Sequence, residues 1–363
     1  MACTLLEVGT AIQAFKRASF NSPADPTVCA NVERPQKMRQ RVYPSPSYDL
    51  VSVPENPVPE DAEPLVVKST GGIKLRAARW RPTGADRKTV IVILSGRTEF
   101  MEKYWETISD LRSRGFHVVA FDWRGQGGSD RLLSNPSKGH IPRFDDYLDD
   151  LDAIMKKAVA PLGDLKRHAL AHSMGGAILL RALLRDDTLF ERCTISAPMI
   201  GLAFERLKKN ARFLVSLLAI LGFSERYVPG GSPAPTMPFA DNPLSTDRER
   251  HERADAVIAT APHLGIGSPT IGWVATAFAA MAELQDPETA LAISTPVLIA
   301  AGAHDRITST PIAESFASRM PNGRFLKLDG AKHEILLEQD HLRAKFWAAF
   351  DQFSAEPAPA ISD

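Results

Sequence analysis

The sequence predicts an α/β fold in which a mostly parallel sheet carries helices on both faces and a helical cap is inserted late in the chain. From about residue 65, short apolar segments alternate with segments of helical periodicity. The apolar segments are continuous, which is typical of parallel strands that are buried on both faces. Between residues 198 and 291 the alternation stops and helical patterns replace it, which indicates the insertion.

The same patterns divide the chain into segments. Residues 1–64 hold nine of the 27 prolines and are predicted to form a Pro-rich tail or strap, because proline lacks the N–H that helices and strands use. Residues 65–197 and 292–355 are predicted to form the two parts of the core, residues 198–291 the cap, and residues 356–363 a C-terminal tail. A cap that follows the carboxyl ends of parallel strands is expected to cover the ligand site.

Composition narrows the function classes. Lys plus Arg and Asp plus Glu both number 43, so no net charge draws the protein to nucleic acid. Cys3, Cys29 and Cys193 are scattered without metal-ligand spacing, which favours a reducing compartment and no zinc site. The first residues lack the pattern of a secretory signal peptide, so we expect a cytoplasmic protein.

One apolar stretch needs a separate interpretation. Residues 211–223 (ARFLVSLLAILGF) are fewer than the roughly 18 that span a bilayer. They are interpreted either as a buried helix, or as a helix that lines an acyl pocket or touches lipid. The last alternative would place the protein at the periphery of the inner membrane.

The elements of the core are assigned in chain order. A glycine-turn hairpin begins at residue 65, and the strand TVIVIL follows at residues 89–94. Further strands are predicted at residues 116–122, 167–171, 193–197, 296–302 and 324–329. The clearest helix spans residues 144–158, where apolar residues recur at i, i+3 and i+4. We predict that its aspartates form a solvated face rather than a metal site: Asp145, Asp146, Asp149, Asp150 and Asp152.

The stretch LAHSMGG at residues 170–176 joins a strand to a helix through small residues. This is the pattern of a nucleophile elbow, in which Ser173 is presented on a strained turn. Gly175 and Ala171 are small enough for the backbone to pass. A serine between small residues can also be an ordinary helix cap, so its meaning depends on the residues downstream.

Those residues are an acid and a histidine, each directly after a later strand. Asp305 follows the strand at 296–302 and His333 follows the strand at 324–329, which gives the order Ser, Asp, His of an α/β-hydrolase triad. We predict Ser173 as nucleophile, His333 as base and Asp305 as the group that orients the base. The competing candidates are less well placed at the strand ends: His304, Asp329 and Glu334.

The same chemistry requires donors for an oxyanion. The N–H of Met174 follows the nucleophile, and the N–H of Arg97 lies in the loop after the strand at 89–94. Ser95 stands where a histidine often opens this loop. An ordinary strand-to-helix turn is the alternative for the loop.

Two other motifs could indicate a dinucleotide site and a zinc site, but the residues around them argue against both functions. The glycine-rich run at residues 122–129 follows a strand, but no helix begins there, so it is a structural turn rather than a dinucleotide loop. His333 and Glu334 are not followed by the second histidine of a zinc hydrolase, so no metal is expected.

Several motifs resemble one known family: Gly96-Arg97-Thr98-Glu99, RGQGGSDRLL, GHIPRFDDYLDDL, LAHSMGGAI, SAPM, GSPTIGWV and HEILLE. They are similar to the bacterial lysophospholipase L2 type of α/β-hydrolase and, more distantly, to monoacylglycerol lipases and serine aminopeptidases, over residues 65–355. The resemblance implies an eight-stranded, mostly parallel sheet with a cap, no cofactor, and release of one acyl chain from a glycerol-based lipid. Its triad positions match Ser173, Asp305 and His333.

The leading hypothesis is therefore a hydrolase of lysophospholipids or monoacylglycerols. The first alternative is a carboxylesterase of small esters or a serine aminopeptidase, which would use acidic cap residues such as Glu205, Asp241 and Glu283 to hold an amine. The second is a non-catalytic scaffold, which the presence of Ser173 and His333 disfavours.

Overall fold

In the computed structural model, which describes residues 42–203 and 208–355, eight strands form one sheet. The strands are β1 (Glu63–Lys68), β2 (Lys74–Trp80), β3 (Thr89–Leu94), β4 (His117–Phe121), β5 (Lys166–His172), β6 (Arg192–Ser196), β7 (Val297–Gly302) and β8 (Gly323–Leu328). Their order is β1-β2-β4-β3-β5-β6-β7-β8. β1, β2 and β4 pair antiparallel, and β3 to β8 are mutually parallel. The predicted mostly parallel sheet of eight strands is confirmed.

The apolar runs located the parallel strands accurately. Each of the six predicted strands from residue 89 onward agrees with the observed bounds to within one residue at either end. All residues of β3 and β7 are buried, as expected for strands covered on both faces. The hairpin starts at Glu63, two residues before the predicted position.

Helices cover both faces of the sheet. The described helices are α1 (Trp105–Ser113), α2 (Asp146–Ile154), α3 (Met174–Arg185), α4 (Lys208–Leu218), α5 (Arg248–Thr260), α6 (Ile271–Leu284), α7 (Pro287–Leu291), α8 (Thr310–Arg319) and α9 (Asp340–Ala355). Alternate residues of β3 point to opposite faces: Val90 and Val92 belong to the core formed with α2, α3 and α8, whereas Ile91 and Ile93 belong to the core formed with α1 and α9.

The segment between β6 and β7 departs from the βα alternation. Within its described part it contains α4, α5, α6 and the short α7, and α4 packs against α6. Thr270 caps the start of α6 by accepting a hydrogen bond from the Trp273 N–H, and Asp247 caps α5 in the same way from Arg250. These helices are called the cap below.

The described part of the N-terminal segment lies against the core. Tyr43 pairs with Arg131 through backbone hydrogen bonds, and the Tyr48 hydroxyl donates to Asp130 at 2.5 Å. Farther along, the indole N–H of Trp105 donates to the Val51 carbonyl at 3.2 Å. Polar contacts thus hold this proline-rich stretch in place without a continuous strand.

The prediction of a solvated aspartate face on α2 is wrong for two of its residues. Asp150 is fully buried and Asp146 is 8% exposed. Arg124, from the glycine-rich turn after β4, binds Asp150 through Nε at 2.9 Å and Nη2 at 2.5 Å. The sequence pattern of the helix could not show this, because the partner comes from a distant turn.

A second buried ion cluster joins β2, the end of β4 and the segment before α1. The Arg76 guanidinium contacts Glu102 at 2.7 Å and Asp122 at 2.6 Å, and all three side chains are fully buried. Burial raises the pKa of Glu102, and the neighbouring Arg76 opposes that shift. The cation therefore keeps two carboxylates compatible with the core.

Replacing Arg76 by methionine should lower the free energy of unfolding by about 3–5 kcal/mol, because Glu102 and Asp122 would stay buried without their cation. Arg79→Met is the matched control on the same strand, since Arg79 pairs with the partly exposed Glu63 and should cost at most about 1 kcal/mol. Urea denaturation at neutral pH measures both variants. Equal losses would show that the buried cluster is not a special source of stability.

Candidate active site

Ser173 lies at a strained junction between β5 and α3. Its backbone has φ 49° and ψ −110°, a conformation that costs a non-glycine residue roughly 1–3 kcal/mol. The turn also passes close to β3: a Cβ atom on Gly175 would lie 2.1 Å from the Leu94 carbonyl oxygen. The small residue predicted at position 175 is therefore a steric requirement of the turn.

The loops after β7 and β8 bring two further predicted residues to Ser173. His333 Nε2 lies 3.1 Å from Ser173 Oγ, and His333 Nδ1 lies 2.8 Å from Asp305 Oδ2. All three residues follow the carboxyl ends of parallel strands, where they meet at one edge of the sheet. The arrangement allows His333 to take the hydroxyl proton while Asp305 fixes the ring.

Asp305 is held as a carboxylate by four donors. Oδ1 accepts the N–H groups of Ile307 at 2.7 Å and Thr308 at 3.0 Å, and Oδ2 accepts the Thr308 hydroxyl at 2.7 Å as well as His333. Burial acts to raise the pKa of Asp305, but the His333 contact and these hydrogen bonds lower it overall. Asp305 is therefore ionised at neutral pH.

The competing candidates do not join this chain of contacts. His304 and Asp329 are exposed. Glu334 instead forms an ion pair with Lys103 at 2.6 Å. Strand-end position thus distinguished the residues that come together from their neighbours in sequence.

The two predicted oxyanion donors remain available. In the described part of the chain, neither the Arg97 N–H nor the Met174 N–H donates to a protein acceptor. The Arg97 loop is held from both sides, because the Gly96 N–H donates to Glu99 at 2.5 Å and the side chain of Gln126 donates to the Gly96 carbonyl at 2.8 Å. The glycine-rich turn that carries Gln126 therefore supports this loop.

Behind the oxyanion loop lies a buried charged cluster that the sequence analysis missed. Lys103 Nζ lies 3.1 Å from Glu99 and 2.6 Å from Glu334, and the Tyr104 hydroxyl donates to Glu99 at 2.6 Å. The His172 ring packs on the His333 ring with centroids 4.8 Å apart. The cluster connects the loop of Arg97, the predicted oxyanion donor, to the loop that carries His333. The only sequence signs of it were the motif GRTE and the Glu that follows His333.

Three members of this cluster have the residue types and spacing of metal ligands. Atoms of Glu99, His172 and Glu334 lie within 4.8 Å of one another, and all three residues are buried. The ammonium group of Lys103 contacts both carboxylates, so a side chain of the protein already supplies the cation. Burial lowers the pKa of His172, which keeps its ring neutral.

Ser173 and His333 open onto a cavity of about 470 Å³ between the core and the cap. Its wall is mostly apolar: Phe100, Met199, Leu202, Met237, Ala254, Ile258, Ile266, Trp273 and Ile307. The volume is within the range of small-molecule sites, roughly 300–1,000 Å³. The cavity thus offers an apolar chamber beside the Ser173 hydroxyl.

The apolar stretch at residues 211–223 takes no part in this chamber. None of its described side chains lines the cavity wall, so the acyl-pocket interpretation is wrong. The buried-helix interpretation is also wrong, because Ile220 is 82% exposed and Phe213 is 71% exposed. Every helix within residues 42–203 and 208–355 is too short or too polar to cross a lipid bilayer.

Known proteins resemble the chain over most of its length. The family model described as Serine aminopeptidase, S33, matches residues 85–340. Lysophospholipase L2 of Escherichia coli is 35% identical over 297 residues, which cover 79% of this chain and 86% of that protein. The probable lysophospholipase L2 of Haemophilus influenzae is 31% identical over 273 residues, which cover 75% of this chain and 85% of that protein.

Solved structures share the architecture at lower identity. A soluble variant of monoglyceride lipase from Saccharomyces cerevisiae gives a TM-score of 0.64 at 18% identity, covering 80% of this chain and 95% of that chain. A thermostable carboxyl esterase from Bacillus coagulans gives 0.64 at 16% identity, covering 81% and 97%. At such identities the likeness shows a shared fold and not a shared substrate.

We predict that Glu99→Ala lowers kcat for p-nitrophenyl butyrate by about 10- to 100-fold with little change in KM, because a displaced Gly96-Arg97 loop weakens contacts that form only in the transition state. Glu99→Gln keeps an acceptor for the Gly96 N–H and should recover part of the loss. Urea denaturation of both variants separates loop position from stability. Two variants with wild-type kcat would show that Glu99 does not position the loop.

Proposed function

The chain belongs to the serine aminopeptidase S33 family of α/β-hydrolases, and from that membership we propose that it hydrolyses the fatty-acyl ester of a lysophospholipid. The resemblance drawn from its motifs is confirmed, and so is the expectation of a serine ester hydrolase. One observation carries the mechanism: Ser173 Oγ, His333 and Asp305 form a continuous chain of hydrogen-bonding contacts, and Ser173 and His333 line an apolar cavity.

The proposed reaction proceeds through an acyl-enzyme. His333 Nε2 accepts the Ser173 proton as Oγ attacks the ester carbonyl, and Asp305 stabilises the imidazolium that forms. The N–H groups of Arg97 and Met174 bind the oxyanion. When the tetrahedral intermediate collapses, His333 gives its proton to the departing glycerol oxygen. Water, activated by the same ring, then releases the fatty acid.

The cavity supports a substrate with one acyl chain. Its wall combines apolar side chains of the core with Ile258, Ile266 and Trp273 of the cap, which together can exclude water from a hydrocarbon chain. The curated relatives named lysophospholipase L2 cover most of this chain, and a more distant relative in Mycolicibacterium smegmatis is named monoacylglycerol lipase. Monoacylglycerol is therefore the nearest alternative substrate.

The cap residues that suggested the aminopeptidase alternative give it little support in the structure. Glu283 pairs with Arg181 at 2.6 Å and is absent from the cavity wall. Glu205 and the side chain of Asp241 lie outside the described residues. Asp255 does line the cavity, where it lies 3.6 Å from His251.

An exposed apolar face on the cap supports peripheral contact with a lipid surface. Four apolar residues of α4 and of the π-helical segment Ala219–Phe223 after it are each more than half exposed: Phe213, Leu214, Ile220 and Leu221. Arg226 lies close by, with its guanidinium 5.0 Å from the Phe223 ring centroid. An apolar patch beside a cation fits the interface of an anionic bilayer. In this proposal the enzyme is cytoplasmic and visits the inner membrane to collect its substrate.

Ser173→Ala should abolish fatty-acid release, because alanine removes the nucleophile. The turn itself stays, so the free energy of unfolding in urea should fall by no more than about 0.5 kcal/mol. The assay compares a lysophospholipid, a monoacylglycerol of the same chain, p-nitrophenyl butyrate and an amino-acid p-nitroanilide. Preference of the wild type for lysophospholipid supports the proposal. Turnover of short esters alone would favour the carboxylesterase alternative, and residual turnover by the variant would refute the role of Ser173.

Glu substitutions at Ile220 and Leu221 should weaken cosedimentation with anionic vesicles by about tenfold or more, since a charge on the apolar face opposes insertion. Hydrolysis of soluble p-nitrophenyl butyrate should not change. Leu291→Glu is the matched control, because Leu291 is 53% exposed but lies on α7 outside this face. Equal vesicle binding by all variants would place the membrane contact elsewhere.

A further inference from the structure

Arg97 brings a guanidinium into the cavity wall, where it has no carboxylate partner in the part of the chain that the structure describes. Its Nη1 donates to the neighbouring Thr98 hydroxyl at 3.1 Å and its Nη2 to the Gly267 carbonyl at 2.8 Å. Nε is buried and has no acceptor among the described residues. Burial lowers the pKa of Arg97 to about 10, and the only opposing influence comes from Tyr147. The group is still charged at neutral pH, and no carboxylate of residues 42–203 or 208–355 forms an ion pair with it.

Three other cations in the described interior of the protein do have partners for their donor groups. Lys103 lies between two carboxylates, and Arg124 is paired with Asp150. Arg131 has no carboxylate at ion-pair distance, but each of its three nitrogens donates to a backbone carbonyl. Because an unneutralised cation in a site of low polarity is costly, Arg97 is the position where an anion from outside would be stabilised most.

The side chain is also held in one place. The Arg97 guanidinium lies 5.0 Å from the Trp273 ring centroid, and the Trp273 indole N–H donates to the Tyr147 hydroxyl at 3.1 Å. Glycine at position 139 makes room for it, since a Cβ there would lie 2.7 Å from Nη2. The charge is thus preorganised where the core meets the cap.

Its place in the loop relates this charge to the substrate. The Arg97 N–H is one of the two proposed oxyanion donors, so the ester carbonyl would lie beside the Arg97 backbone. In a lysophospholipid, a three-carbon glycerol unit separates that ester from the phosphate. In a monoacylglycerol, a hydroxyl group replaces the phosphate. An arginine side chain that starts at the oxyanion loop can span the glycerol unit.

The other cations in the cavity wall are already occupied. Arg250 contacts Glu106 at 2.7 Å and Asp247 at 2.8 Å, and Lys103 is bound by its two glutamates. Neither would gain as much as Arg97 from a phosphate. The distribution of charge therefore singles out one residue of the wall.

We propose that the Arg97 side chain binds the phosphate of the substrate head group and selects lysophospholipids over monoacylglycerols. This inference rests on the proposed function, and it makes Arg97 a specificity residue as well as an oxyanion donor. The main competing role is structural: through Gly267 and Trp273, the same side chain could fasten the oxyanion loop to the cap.

The test compares kcat/KM for a lysophosphatidylcholine and a monoacylglycerol that carry the same acyl chain. Arg97→Met should lower the ratio of the two constants by about 10- to 100-fold, the effect of losing a hydrogen bond to a charged group. Arg97→Lys, which keeps the charge, should restore part of the ratio. Arg250→Met is the matched control: it removes an already paired cation from the same wall and should leave the ratio unchanged.

A purely structural role gives a different result. If Arg97 only fastens the loop to the cap, Arg97→Met reduces both constants by the same factor, and an unchanged ratio overturns the proposal. Urea denaturation shows whether the variant is folded.

A second measurement does not depend on lysophospholipase turnover. Glycerol 3-phosphate should inhibit hydrolysis of p-nitrophenyl butyrate by the wild type competitively and lose at least tenfold in affinity with Arg97→Met. Inorganic phosphate tests the other source of the anion: inhibition by it that equals glycerol 3-phosphate, with an unchanged substrate ratio, would refute head-group recognition. The wild type could also fail to hydrolyse lysophospholipid and still be inhibited by glycerol 3-phosphate in a manner that Arg97→Met abolishes. That result would refute the proposed substrate but not the anion site at Arg97.

Discussion

The tight turn at Ser173 is the constraint on which the rest of the site depends. The chain must leave β5 and enter α3 within one residue, in a backbone conformation that only the surrounding packing can hold. That packing requires glycine at position 175, because the turn approaches the Leu94 carbonyl of β3. β7 and β8, which lie on the same side of β5, carry Asp305 and His333 in the loops after them, so the geometry of the sheet decides the distances among the three predicted triad residues.

Buried charges connect the loops that surround this turn. Lys103 joins Glu99 of the oxyanion loop to Glu334 of the loop that carries His333, while Arg76 joins strands and a helix start farther away. In each case a cation between two carboxylates avoids the cost of a lone buried charge. Arg97 differs, because among the described residues it has neither a carboxylate partner nor an acceptor for Nε, and this is the physical basis for the proposal that it binds the substrate phosphate.

Core and cap contribute different parts of the proposed activity. The core supplies nucleophile, base, orienting acid and oxyanion donors on rigid strand ends, and the cap supplies apolar surface such as Ile258 and Trp273. The outer face of the cap has a separate property, since Ile220 and Phe213 are exposed instead of buried. One insertion thus presents one apolar surface to the cavity and another to the surroundings, which suits the proposed uptake of substrate from a lipid interface.

The sequence by itself determined the order and type of the strands and the candidates Ser173, Asp305 and His333, because continuous apolar runs mark buried parallel strands and loops after such strands converge at one edge. It could not show that Asp150 is buried or that Lys103 meets Glu334, which is 231 residues away. It also left the helix at 211–223 open among three interpretations. Each of these outcomes depends on which side chains, although far apart in the sequence, lie together in the folded protein. Only the tertiary structure decides that, because charge and burial are properties of the surroundings and not of local periodicity.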